Sequence, residues 1–116
     1  MAKKNVVSII KSSAFSWKTF EALRQAVGMA MDHKVTVIFI KDAVYLFTEN
    51  NLPMIGIPSS DKSIEALGML EAKIVVEEES VRERGIILKQ LPTKIFIEPK
   101  EKISEIISNA EVVITW

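Results

Sequence analysis

The chain has 116 residues, which is the length of one domain with a single buried core. Its 15 basic and 15 acidic residues cancel, so net charge gives no attraction to nucleic acid or to an anionic membrane, and we expect neither as a partner. No cysteine is present, which excludes disulfides, thiolate metal sites and thiol catalysis by this chain. Because its first residues lack a signal-peptide pattern and no window approaches a membrane span, we expect a cytoplasmic protein.

The first half of the chain predicts two strands and a long helix. Residues 6–10 and 35–40 are apolar runs typical of strands covered on both faces. Between them, residues 17–31 predict an amphipathic helix with an apolar stripe made of Phe20, Leu23, Val27 and Met31, with Ala26 and Ala30 beside it. Asp42 is then predicted to be the N-cap of a short helix that continues through Phe47.

The second half continues the alternation of strands and helices. Further strands are predicted at residues 74–76, 93–97 and 112–115. Helices are predicted from Asp61 or Ser63 to about residue 72, at residues 80–84 and after Pro99. Gly85 is expected to end the charged helix in the left-handed conformation. Alternating strands and helices predict an α/β fold, a three-layer sandwich with a mostly parallel five-stranded sheet, over a single domain at residues 1–116.

A loop at residues 52–58 carries apolar residues between two prolines, and we expect it to cover another surface. The candidate interface residues are Leu52, Met54, Ile55 and Ile57. One interpretation is contact with a second subunit, which makes the protein an oligomer. The other is that the loop folds back over the core of its own domain.

The candidate crevice lies where the predicted strands end, since ligands of open α/β sheets usually bind beyond the carboxyl ends of the strands. Three carboxylates, Glu77, Glu78 and Glu79, follow the third strand. They are typical of a solvated helix start stabilised by the helix dipole, and less typical of a hard-cation or acid–base site. Glu77, nearest the strand end, is kept as a candidate together with Asp42, Ser80 and Arg84.

Ser12, Ser13 and Ser16 complete the candidate crevice, because they lie between the first strand and the first helix. Free backbone N–H groups there can hold an anion, although plain capping of the helix is the more ordinary role of such serines. The glycine-rich phosphate-binding motifs are absent. His33 is the only histidine and is predicted to lie on the surface, so we expect no metal site, no cofactor and no catalytic residue.

Three segments in this order resemble the DsrE/DsrF/DsrH-like family of small sulfur-relay proteins, which includes the TusB, TusC and TusD subunits. They are the first strand and loop followed by a long helix, the segment Val-Ile-Phe-Ile-Lys-Asp-Ala-Val at residues 37–44, and the third strand followed by Ser-Val-Arg-Glu-Arg-Gly at residues 80–85. The resemblance spans nearly the whole chain.

The resemblance implies a role in sulfur relay, such as tRNA thiolation or sulfur oxidation. Persulfide-carrying members have a cysteine eight residues before the glycine of the Arg-Gly pair, and Glu77 stands there in this chain. The resemblance therefore implies a cysteine-free, non-catalytic subunit that forms a homo-oligomer or a hetero-oligomer with a cysteine-bearing paralogue. The alternative from another class is a small hydrolase or anion-binding protein that uses Glu77 and the serine loop at residues 12–16.

Overall fold

A computed structural model describes residues 3–116. Its centre is one five-stranded sheet in the order 4-3-2-1-5, and every neighbouring pair of strands is parallel. The strands are β1 (Asn5–Ile10), β2 (Lys34–Phe39), β3 (Lys73–Glu77), β4 (Ile95–Glu98) and β5 (Val112–Thr115). The predicted fold class is therefore confirmed, and the sheet is parallel throughout these strands.

Four α-helices and two 3-10 helices connect the strands. The α-helices are α1 (Trp17–Ala30), α2 (Asp61–Met69), α3 (Glu78–Glu83) and α4 (Lys100–Ser108). The 3-10 helices are Lys41–Phe47 and Leu52–Ile55. Within residues 3–116, no helix has both the length and the apolar character needed to cross a membrane.

The sheet has a thick layer on one face and a thin layer on the other. Side chains alternate along a strand, so Val35, Val37 and Phe39 of β2 point into the larger core with α1, α2 and the first 3-10 helix. Ile38 of the same strand points the other way, where the smaller core is covered by Ile103 of α4. The three layers follow from this division.

The buried face of α1 differs from the predicted stripe. Leu23 is buried, but Phe20 and Val27 are only partly buried and Met31 is 66% exposed. The helix also buries its small residues, which are Thr19, Ala22, Ala26 and Ala30, and these include the two alanines predicted beside the stripe. Small side chains let the helix backbone approach the sheet closely, so Phe20, Val27 and Met31 lie further from the core than Leu23.

Two predicted helix boundaries are also corrected. The helix after β2 begins at Lys41, and its capping position is Ile40, with no side-chain cap; Asp42 lies inside the first turn and is not the N-cap. Helix α2 ends at Met69 and not near residue 72, because Glu71 adopts a left-handed backbone conformation with φ of 62° and turns the chain into β3. Gly85 has φ of 59°, which confirms its predicted left-handed conformation.

Candidate functional site

Glu77 is the last residue of β3 and also the residue that precedes the first turn of α3. No linker separates this strand from its helix, so the side chain of Ser80 lies back over the strand end. Ser80 is buried and its hydroxyl donates a hydrogen bond to the Glu77 carboxylate. This contact fixes the carboxylate beside the first turn of α3.

The same hydroxyl joins α3 to the neighbouring strand. The backbone N–H of Lys41, two residues beyond the end of β2, donates a 2.9 Å hydrogen bond to Ser80 Oγ. Lys41 is a non-glycine residue in the left-handed region, with φ of 56°. Such a conformation costs about 1–3 kcal/mol and persists only where surrounding contacts hold it, as the Ser80 hydroxyl does here.

Arg84 adds a second bridge between the two strand ends. Its Nε atom donates to Asp42 Oδ1 at 3.1 Å, and its Nη1 atom donates to the backbone carbonyl of Ser80 at 3.3 Å. The second contact satisfies a carbonyl in the last turn of α3, which has no partner within the helix. The arginine side chain is consequently only 19% exposed.

The fold therefore brings together four of the predicted crevice residues, Asp42, Glu77, Ser80 and Arg84, which we call the strand-end cluster. Its polar groups bond to one another. No member of the cluster lines any of four well-formed cavities of about 180 to 420 Å³ within residues 3–116.

The predicted serine loop folds as a separate hydrogen-bonded unit. Ser16 is the N-cap of α1, and its Oγ accepts the backbone N–H groups of Lys18 and Thr19. Ser12 Oγ lies 2.7 Å from the hydroxyl of Thr19, which donates to the carbonyl of Ser13. Two backbone N–H groups that could hold an anion, those of Lys18 and Thr19, are thus already bonded to Ser16. The capping interpretation is confirmed for this residue.

Two residues at this edge, Glu98 and Thr19, were missed in the sequence, and so was the capping role of Glu79. Glu98 ends β4 as Glu77 ends β3, and the two are partners in the sheet register. Glu79 accepts the backbone N–H of Lys100 at 3.1 Å and so caps the start of α4. Thr19 anchors the serine loop from inside α1. Glu98 was detectable from its place at a strand end, whereas the other two contacts depend on how the elements pack.

The carboxylate of Glu79 has a pKa below its usual value. The hydrogen bond from its own backbone N–H is the largest cause, and the Lys100 amide and the charges of Arg82 and Lys100 act in the same direction. Partial burial opposes them without reversing the shift. Glu78 instead pairs with Arg82 at 3.4 Å on the exposed side of α3, as expected for an ordinary solvated helix start.

The apolar loop is divided by the fold. Leu52 and Ile57 are 2% and 4% exposed and belong to the main core, whereas Met54 and Ile55 are 80% and 58% exposed. The expectation of four interface residues is therefore wrong for Leu52 and Ile57. The 3-10 helix directs Leu52 inward, and Ile57, after the left-handed turn at Gly56, donates its backbone N–H to the carbonyl of Leu52 and packs into the same core. Met54 and Ile55 remain as the exposed part of the candidate interface.

The remaining observation from the sequence concerns His33, which lies just before β2. Its Nδ1 atom accepts the backbone N–H of Lys4 at 3.2 Å, so this histidine secures the approach to β1. Within residues 3–116, no group of three or more histidine, aspartate or glutamate side chains has an arrangement that could hold a metal ion.

Comparison with known proteins agrees with this architecture. The crystal structure of the ychN protein from E. coli superposes with a TM-score of 0.84 and 18% sequence identity, covering 97% of this chain and 99% of that one. A search of curated protein sequences found no significant match. The model of the DsrE/DsrF-like family matches residues 4–116. Since the match covers nearly the entire sequence and the fold agrees, the chain belongs to the DsrE/DsrF-like family.

Proposed function

We propose that this protein is a non-catalytic DsrE/DsrF-like subunit that supports or regulates a sulfur-relay assembly. Family membership supports a role related to sulfur relay. The observation that favours a non-catalytic role is Glu77, which stands where the resemblance implies a cysteine in persulfide-carrying members. Its carboxylate accepts the hydroxyl of Ser80.

The chemistry of sulfur transfer supports this proposal. A sulfane sulfur passes from a donor persulfide to an acceptor when the acceptor thiolate attacks it, and the donor thiolate leaves. A carboxylate is not a sulfur nucleophile, and the sequence has no cysteine elsewhere to replace it. The protein is therefore proposed to act through binding, either as a homo-oligomer or beside a cysteine-bearing paralogue in the cytoplasm, where thiols remain reduced.

Met54 and Ile55 support the proposal of a partner subunit. Both are largely exposed and adjacent, on a loop whose other apolar residues anchor it to the core. Exposed apolar side chains on a firmly anchored loop are suited to burial against another subunit. We propose that these two residues form part of that contact.

Co-purification tests the proposal. The tagged chain is expressed together with the cysteine-bearing DsrE/DsrF-like proteins of its own source, and the purified material is analysed by native mass spectrometry. We expect a complex of fixed stoichiometry between the two chains, and loss of that complex in Met54→Asp. Recovery of this chain without any cysteine-bearing DsrE/DsrF-like protein would overturn the hetero-oligomer proposal, and light scattering would then test the homo-oligomer.

A further inference from the structure

We propose that the groove between α4 and the amino-terminal ends of β1, β2 and β3 binds a small oxyanion of the phosphate class, through Lys34, Thr36 and Lys73. This groove lies at the opposite end of the strands from the strand-end cluster. It encloses about 220 Å³ and is separate from the proposed partner contact at Met54 and Ile55.

The parallel register assembles the floor of the groove. Val7, Thr36 and Lys73 are partners across three adjacent strands and therefore form one row on one sheet face. Asn5 and Lys34 form the row before it, two residues nearer the strand starts. These residues line the groove together. Their backbones are hydrogen-bonded within the five-stranded sheet, so the sheet fixes the spacing of the polar side chains along the groove.

Helix α4 supplies the roof. Lys102, Glu105, Ile106 and Asn109 follow the spacing of one helix face, and all four line the groove. The adjacent residue Ile103 is only 5% exposed because it packs against the sheet. This packing fixes the distance between α4 and the strands that form the floor of the groove.

The charge of the groove is strongly one-sided in a chain whose net charge is zero. Three lysines, Lys34, Lys73 and Lys102, line the groove together with one acidic residue, Glu105. Lys102 lies 3.7 Å from this carboxylate. Within residues 3–116, Lys34 and Lys73 form no ion pair, which leaves two positive charges in the groove that an anion can neutralise.

An aromatic contact orients one of these ammonium groups. Lys73 Nζ lies 4.7 Å from the centre of the Phe96 ring, and Lys94 Nζ lies 4.8 Å from it. A cation over an aromatic ring is attracted to its negative face, so Phe96 restricts the motion of the lysine before any ligand binds. The ammonium of Lys73 is thereby kept at the boundary of the groove.

The lining also defines the chemistry of the ligand. Lysine ammonium groups, the hydroxyl of Thr36 and the side-chain amide of Asn109 can donate hydrogen bonds, which suits a ligand with several acceptor oxygens. The side-chain amide of Asn5 already donates to the backbone carbonyl of Asn109, at 3.3 Å. The volume is smaller than the roughly 300 Å³ at which pockets for drug-sized ligands begin, so the groove suits a compact group. A phosphate, either free or as the end of a small ester, has these properties.

The test is a titration of the full chain followed by two-dimensional amide NMR at constant ionic strength, with inorganic phosphate and glycerol phosphate as separate probes and chloride as the balancing ion. We expect saturable shifts at Thr36, Lys73 and Asn109. Binding of both probes identifies the ligand class as phosphate esters, and binding of inorganic phosphate alone identifies the free ion.

Variants make this test specific. Lys34→Gln and Lys73→Gln should each weaken binding about tenfold or more, since a charge-assisted hydrogen bond contributes about 1.5–3 kcal/mol. Lys18→Gln makes the same charge change on α1 and should alter the affinity by less than about twofold. Lys34→Gln leaves the Phe96 contact intact, so it reports on the groove even if Lys73→Gln disturbs the fold. Absence of saturable shifts, or equal weakening by Lys18→Gln, would overturn the proposal.

Discussion

The hydroxyl of Ser80 donates a hydrogen bond to the carboxylate of Glu77, three residues earlier in the chain. The same oxygen accepts the backbone N–H of Lys41, which begins the 3-10 helix just beyond β2. One buried hydroxyl thus joins the ends of β2 and β3 and holds Lys41 in its left-handed conformation. The stability of the strand-end cluster therefore depends strongly on this single side chain.

Ser80→Ala should lower the free energy of unfolding by about 1–3 kcal/mol, because the Lys41 amide and the Glu77 carboxylate both lose their partner in a partly buried setting. Urea unfolding followed by circular dichroism measures the change. Ser104→Ala, on the exposed side of α4, is the matched control and should change stability by less than about 0.5 kcal/mol. Equal midpoints for the two variants would contradict the central position given to Ser80.

Two glycines should respond to substitution in opposite directions. Gly85 has φ of 59°, so a side chain there meets backbone strain although the surrounding space is open, and Gly85→Val should cost about 1–2 kcal/mol. Gly28 lies inside α1 with open space around it, so Gly28→Ala should stabilise the protein by about 0.5–1 kcal/mol. Thermal unfolding of both variants gives the comparison. A Gly85→Val protein as stable as wild type would show that the strain is relieved elsewhere.

The carboxylate of Glu79 should stabilise the fold in a pH-dependent way. Its pKa is lower in the folded state than in the unfolded state, so its contribution is present above the unfolded pKa of about 4.3 and is lost as the pH falls through the folded pKa. Glu79→Gln should therefore be less stable than wild type at neutral pH, and the difference should shrink in acid. Urea unfolding across this range measures it, with Glu65→Gln on α2 as the control for loss of a surface carboxylate. A difference that grows in acid would contradict the cap on α4.

The two halves of the apolar loop should behave differently when a charge is introduced. Met54→Asp and Ile55→Asp should leave the monomer folded, since both side chains are exposed, and should dissociate the proposed oligomer. Ile57→Asp buries a carboxylate in the core and should destabilise the protein severely. Light scattering and urea unfolding separate the two effects. A wild-type mass of 13.0 kDa at micromolar concentration would contradict the homo-oligomer.

Much of this fold follows from the pattern of the sequence. The apolar runs at residues 35–40 and 74–76 predicted strands because their residues are apolar on both sides, and the sheet covers them on both faces. Gly85 was predictable because few residues other than glycine adopt a positive φ at a helix end without strain. These features are local, so their physical causes are visible in a short window of sequence.

The predictions that were wrong concern residues whose conformation or burial depends on contacts with distant parts of the chain. Asp42 has the side chain of an N-cap, but Arg84 binds it from the end of α3 and Ser80 accepts the amide of the preceding residue. The helix therefore begins at Lys41 with Ile40 as its capping position, two residues earlier than predicted. Ile57 is flanked by the turn-forming residues Gly56 and Pro58, which predict an exposed loop, yet its side chain is buried in the main core. The contact between Asp42 and Arg84 joins residues that are 42 positions apart, so a short window of sequence does not reveal it. The same holds for the burial of Ile57, which depends on how the core packs.

Intact-mass spectrometry after treatment with a persulfide donor tests most directly whether Glu77 occupies the sulfur-carrying position. The account predicts that wild type gains no sulfur and that Glu77→Cys gains one sulfur atom, because the new thiol stands at a partly exposed strand end. Ser80→Cys, at a buried position of the same cluster, is the matched control and should remain unmodified while folded. A wild-type protein that gains a sulfur atom would contradict the non-catalytic role. A Ser80→Cys thiol that is modified while Glu77→Cys stays unmodified would contradict the placement of the sulfur-carrying position at residue 77.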